Sequence, residues 1–382
     1  TAAWLAAEVR NVVSVPVLTT GKLNDPNVAE KVLQDGQADF VGLAHGALTD
    51  PHWVNKVHRG EAYDIVPCIG CNECLLAGFR GGHYQCAVNP QCYAEDYFPV
   101  VALERAKRVL VLGGGPGGME CAITAAQRGA EVELWEKTAR LGGLLWAAGG
   151  PSFKTDVADY ASYLVNKTFR SNVKVRTMKD ATAEEILAGR WDKVVMATGA
   201  HHKIPPIAGI DGSTVVCAEE VLTGRVRHGR RVVVIGAGFI GMEIAVALAD
   251  MWNIKTSVVE FMPQAMPGVM SASLSDMVRH DLEEHNVDVY TGEKVQRLEG
   301  ENGVVARVVT DKRTLDADLV IFATGFAPNT ALARAAGLDL EERTGAILVN
   351  EYMQTSDPDI YAGGDCVAIP NLITGKPFVL AL

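Results

Sequence analysis

The chain has 382 residues, 48% of them hydrophobic and 21% charged, which is the balance of a folded globular protein with room for two or three domains. A net charge of −11 excludes nucleic acid and anionic membrane surfaces as main partners, yet leaves anionic cofactors open, because helix-start N–H groups hold phosphate without Lys or Arg. The eight Cys do not form a secreted disulfide framework and no secretory leader is visible, so a cytoplasmic location is expected, with a homo-oligomer left open.

Residues 1–66 read as alternating strand and helix: strand over 12–19, helix over 26–35, strand over 38–44, helix over 50–59. Two such units cannot close a barrel or bury a parallel sheet. The chain opens at Thr1 and stops at Leu382 inside an apolar run, so both ends read as cut.

Residues 67–99 read as a loop rich in Cys, Gly, Pro and Asn. Cys68, Cys71, Cys74 and Cys86 follow the spacing C-x2-C-x2-C-x11-C. Three thiolates within seven residues can face three corners of one cubane, and a fourth completes a [4Fe–4S] site. Zinc in a closed tetrahedron is the alternative, although it favours two separated CxxC knuckles. Cys92 competes with Cys86 as fourth ligand.

From residue 108 the βα pattern resumes as an internal repeat, 108–136 and 231–260, each with apolar strand, Gly loop, helix, second strand and terminal Glu. Gly113, Gly115 and Gly118 fit G-x-G-x-x-G: one Gly for the tight turn, one for backbone approach to a pyrophosphate, one for helix packing. Glu136 then stands where a carboxylate accepts from an adenosine ribose. Gly236, Gly238, Gly241 and Glu260 repeat the pattern. Glu260, followed by Phe261 and Met262 rather than Arg, favours NADH over NADPH; its alternative is a solvated strand-end carboxylate. Glu243 stands on the nicotinamide side or is simply a helix residue. The apolar run 232–249 reads as strand, turn and helix rather than a membrane span, because Glu243 and three Gly fall inside it. Residues 319–326 echo 193–200.

These pieces, with Leu141-Gly142-Gly143, Ala197-Thr198-Gly199, Ala323-Thr324-Gly325 and the IYAGGDC run at 360–366, resemble the FAD/NAD-dependent pyridine-nucleotide oxidoreductases. In that family the NAD domain is inserted into the FAD domain. The resemblance implies an α/β fold of two nested Rossmann-like units: FAD in 100–228 and 327–382, NAD(H) in 229–326. It implies FAD contacts at Gly113, Gly115, Gly118, Glu136, Lys137, Gly143, Thr198, Gly199 and Asp365, and NAD contacts at Gly236, Gly238, Gly241, Glu260 and Gly325. Asp365 also suits a turn. No redox Cys follows Glu136 before Cys217, and Cys121 and Cys366 read as small buried residues, so disulfide chemistry is not expected.

The Cys-rich segment resembles the iron–sulfur loop of the trimethylamine dehydrogenase and 2,4-dienoyl-CoA reductase group in the Old Yellow Enzyme superfamily. Its x2-x2 spacing is closer to the amine dehydrogenases. The resemblance implies that residues 1–66 are the last βα units of an FMN-binding (β/α)8 barrel, with 15–21 and 39–51 at the phosphate, including Gly21 and His45. It makes this chain the C-terminal part of a longer enzyme. His45 stands where the family has Arg, so the fork and constant charge of Arg are missing.

The expected function is an electron route from NADH to FAD, to [4Fe–4S], to FMN, ending in reduction of an enoate or enoyl-CoA C=C bond. The alternatives are an amine dehydrogenase with an amine substrate, an NADH oxidase or diaphorase, and a folded piece without turnover. No catalytic acid or base is named, because those residues belong to earlier barrel strands.

Overall fold

A computed structural model describes residues 1–227 and 229–379; His228, at the expected end of the first FAD segment, and residues 380–382 lie outside it. Two five-stranded, all-parallel sheets carry the architecture. The first runs, in spatial order, Ile360–Ala362, Lys193–Met196, Arg108–Leu112, Glu131–Trp135 and Val173–Arg176. The second runs Val215–Cys217, Leu319–Phe322, Arg231–Ile235, Lys255–Val259 and Val287–Tyr290. Corresponding strands of the sequence repeat occupy corresponding places. The edge strand Val215–Cys217 lies ahead of the boundary expected at 229 and already belongs to the second sheet.

The nesting is visible in the connections. The chain leaves the first sheet after Met196, crosses by the strand Ala200–His202, and returns by Phe326–Pro328, paired antiparallel with it. Strand Ile360–Ala362 then closes the first sheet beside Lys193–Met196.

Central strands are continuous Val, Ile and Leu runs because both sheet faces are covered. Leu110 and Val111 are fully buried, as are Val234, Val320 and Ile321. Helix Phe239–Trp252 packs on one face of the second sheet, and the antiparallel ribbon Val295–Glu301, Val304–Thr310, Thr314–Asp316 covers the other. The apolar run at 232–249 is therefore strand and helix, as read. Among the described residues no helix is long and apolar enough to cross a membrane.

The N-terminal unit departs from expectation in its strands. Only Leu18–Thr20 and Phe40–Gly42 pair, in parallel, where longer strands were expected over 12–19 and 38–44. Val12 and Val15 are exposed, and so are Leu18 and Phe40 within the pair. A two-stranded parallel ribbon has no second layer against which longer strands could bury themselves. Helix Pro26–Gln34 forms as read, started by Asp25, whose side chain accepts from the Asn27 N–H, and by Pro26 in the first turn. The expected helix over 50–59 is shorter, Trp53–His58, and a further helix, His45–Thr49, precedes it.

The segment 67–99 is not all loop: Glu73–Phe79 is a helix carrying Cys74, entered through left-handed Asn72. The segment is anchored by Val88, Ile69 and Cys86, which pack with Met119 and Ile123 of helix Pro116–Gln127, the helix that follows the first strand of the repeat.

Candidate functional site

Each glycine of the first loop meets a different constraint. Gly113 has φ +106°, and a Cβ there would stand 2.1 Å from the Ala197 carbonyl oxygen. A Cβ on Gly118 would stand 2.0 Å from the Gly113 oxygen, so the helix can approach the strand only without it. Gly115 faces open space and caps helix Pro116–Gln127 with no side chain, leaving the first-turn N–H groups for an anion. Glu136 accepts from the Gly114 N–H at 2.7 Å and the Thr138 N–H at 2.7 Å, which holds its carboxylate at the loop.

The second loop repeats the geometry. Gly236 has φ +107° with the Ala323 oxygen 2.5 Å from a Cβ, Gly241 would clash with the Gly236 oxygen at 1.9 Å, and Gly238 is open. Glu260 accepts from the Ala237 N–H at 2.8 Å and the Met262 N–H at 2.9 Å. It is only 5% exposed, which rules out the solvated strand-end alternative. Gly236, Gly238, Glu260 and Gly325 line one cleft of about 950 Å³, with Phe261 and Glu243 in its wall.

The remaining residues expected at FAD gather around the first loop. Gly142 donates to the Gly114 carbonyl at 2.8 Å, and left-handed Gly143 lies against Gly115. Gly199 and Gly325, both left-handed, begin the two crossing segments. The Thr198 hydroxyl donates to the Asn329 carbonyl at 2.7 Å, and the Asn329 side chain donates back at 2.9 Å. Asp365 follows left-handed Gly364, which approaches Gly117 at the helix start; its carboxyl is half-buried, and burial raises its pKa. Lys137 is exposed.

Asn329 and Lys154 were not legible locally. Lys154, on the loop before helix Thr155–Arg170, forms an ion pair with Glu243 of helix Phe239–Trp252 and so bridges the two nucleotide domains. Glu243 thus stands on the cleft side rather than as an idle helix residue. Cys366 is buried and donates to the Met196 and Gly363 carbonyls. Cys121 is partly buried against the core of the first sheet, and burial pushes its thiol up to about 11.

Cys68, Cys71, Cys74 and Cys86 line one small void, and none is in a disulfide. Cys92 is not in that wall; it is buried nearby, its thiol pushed up to about 11, so Cys86 is the better-placed fourth donor.

Gly21 and His45 line a separate cavity of about 500 Å³, with Lys22, Cys68 and Asp156. Gly21 has φ +107°. Lys22 was missed in the sequence; it pairs with Asp156 at 2.9 Å, whose carboxylate raises the ammonium pKa. Cys68 and His45 belong to the walls of both this cavity and the Cys-lined void.

Residues 4–64 match the NADH:flavin oxidoreductase / NADH oxidase family. A metal reductase of Desulforamulus reducens is 32% identical over 87% of this chain and 54% of its own length. A bilirubin reductase of Mediterraneibacter gnavus is 36% identical over 84% of this chain and 50% of its own length. The structure of a 2-naphthoyl-CoA reductase in complex with 2-naphthoyl-CoA superposes with a TM-score of 0.75 at 28% identity, over 96% of this chain and 53% of that one. The chain spans about half the length of the curated relatives it matches. The family described as pyridine nucleotide-disulphide oxidoreductase matches residues 107–376, more than half of the chain, and the chain therefore belongs to that family.

Proposed function

We propose that this chain is the NADH-entry half of an iron–sulfur flavoenzyme: NADH at the second loop, FAD at the first, [4Fe–4S] on Cys68, Cys71, Cys74 and Cys86, and FMN at Gly21 and His45. One observation carries the reading: the Cys-lined void shares Cys68 and His45 with the second cavity, while its other side packs on the first FAD-domain helix. The run of three Cys within seven residues favours a cubane over zinc. When bound, a flavin at each end supplies the conversion between two-electron and one-electron chemistry that a cluster lacks.

The chain's own groups do the positioning. Gly115 and Gly238 leave backbone N–H groups free for pyrophosphate, and Glu136 and Glu260 hold acceptors for ribose hydroxyls. Lys22 adds positive charge beside the phosphate position where His45 replaces the family's Arg. Lys154 and Glu243 form an ion pair across the cleft between the nucleotide domains. The 2-naphthoyl-CoA in the structural relative supports an enoyl-CoA as the small-molecule substrate of the complete protein.

NADH should bleach the bound flavin rapidly under anaerobic conditions, while simple amines leave it oxidised. Bleaching by an amine and none by NADH would move the protein to the amine dehydrogenases. Glu260→Gln keeps the shape but puts an NH2 group against one of two backbone donors and removes the charge. We expect the KM for NADH to rise about tenfold, the cost of one charge-assisted hydrogen bond. The preference over NADPH should narrow, because the carboxylate no longer repels a 2′-phosphate. Steady-state kinetics with both nucleotides check this; an unchanged ratio removes Glu260 from the ribose site.

A further inference from the structure

The crossing between the two nucleotide domains brings together three side chains with no assigned role. The His202 ring, at the end of Ala200–His202, packs on Phe326 at 4.6 Å and edge-on to Phe322 at 6.1 Å, which fixes its plane. Its Nε2 is shut off from solvent, and the group facing it is the Glu219 carboxylate, in a long ion pair at 3.5 Å that holds the carboxyl below its usual range. Cys217 ends the edge strand of the second sheet and caps helix Ala218–Leu222, so its thiol and the Glu219 carboxylate leave the same turn. The donor atoms of His202, Cys217 and Glu219 all lie within 4.8 Å of one another.

A buried imidazole nitrogen held only by a long ion pair, with a thiol and a carboxylate converging on it, leaves room for a shared cation. We propose that His202, Cys217 and Glu219 form a Zn²⁺ site that, when filled, ties the crossing strand to the NAD(H) domain and slows NADH-dependent reduction. Imidazole, thiolate and carboxylate suit Zn²⁺; Mg²⁺ and Ca²⁺ take oxygen sets. Three protein ligands leave the fourth position to water. Binding releases the Cys217 thiol proton to solvent and replaces its bond to Glu220.

The consequence follows from position. His202 is in the wall of the NADH cleft and of a smaller cavity of about 180 Å³ between the domains, which also contains Lys154 and Glu243. A metal here joins the crossing strand, whose partner strand is Phe326–Pro328, to the edge of the second sheet. The two domains then lose freedom to adjust around a nicotinamide ring. Nothing in this requires the iron–sulfur reading to hold.

The test uses the flavin-loaded full chain with Co²⁺ as spectroscopic probe and Zn²⁺ as inhibitor, in wild type, Cys217→Ser and His202→Ala. Serine preserves the helix cap and the bond to Glu220, so Cys217→Ser keeps fold and basal activity. Metal taken up by the four-Cys segment is equal in all three proteins and cancels. Wild type should bind one more Co²⁺ than either variant and show a thiolate-to-cobalt absorption band that Cys217→Ser lacks. Zn²⁺ should inhibit NADH-driven ferricyanide reduction in wild type, with at least about tenfold more needed for Cys217→Ser. Equal cobalt stoichiometry and an unchanged band in all three proteins, or equal Zn²⁺ inhibition of wild type and Cys217→Ser, would overturn the proposal.

Discussion

Cys71→Ser is expected to empty the chain of iron and to stop electrons from NADH reaching an enoate acceptor, while NADH still bleaches FAD at a rate within about twofold of wild type. Cys71 is the exposed member of the four, so its replacement removes a ligand with little cost to the fold. Cys68 and Cys86 are poorer choices for this test: both are half-buried and their thiols are raised by burial, so a serine there also leaves a desolvated hydroxyl. Cys86, moreover, packs against the first FAD-domain core, where a change would disturb flavin binding as well. Iron analysis and an anaerobic coupled assay give the answer. Iron retained at wild-type level would remove Cys71 from the cluster.

The second large effect comes from the glycines that let each helix approach its strand. In Gly241→Ala the new methyl falls 1.9 Å from the Gly236 oxygen and 3.3 Å from the Ala323 side chain, so the helix start must move by more than about 1 Å. Misplacement on that scale costs about 100-fold in a positioned reaction, and NADH-dependent turnover should fall by at least that much while FAD stays bound. Gly118→Ala is the mirror experiment. Its methyl falls 2.0 Å from the Gly113 oxygen, and here the chain should lose FAD while the second loop keeps its geometry. Flavin content and the KM for NADH, measured on both variants, separate the two sites. Loss of FAD in Gly241→Ala would contradict the assignment of the loops.

The repeat made the nested fold legible because its information is local. A Val-rich run, three Gly at fixed spacing and an acid at the next strand end occur within about thirty residues. The structure then shows each Gly under the constraint its place in the motif demands. What was not legible depends on contacts across distance. Asn329 locks Thr198 from 131 positions away, and Lys154 reaches Glu243 from another domain. Helix Glu73–Phe79 was missed because Cys spacing dominates that segment and only Ala77 is buried in it. The N-terminal strands were overcalled for the opposite reason. Their residues have strand character, but only a second covered layer would turn that character into length. Glu260 shows the reverse gain: its sequence position left a solvated strand-end carboxylate open, and its burial on two backbone donors removes that reading.

The joining of the two nucleotide domains to the Cys segment is the central claim, and one experiment addresses it directly. The chain is reconstituted with iron, sulfide and flavin, reduced anaerobically with NADH, and frozen for electron paramagnetic resonance. The account predicts a reduced [4Fe–4S] signal that grows with added NADH and is absent from Cys71→Ser. Bound iron with fully bleached flavin and no such signal, or zinc in place of iron, would contradict it.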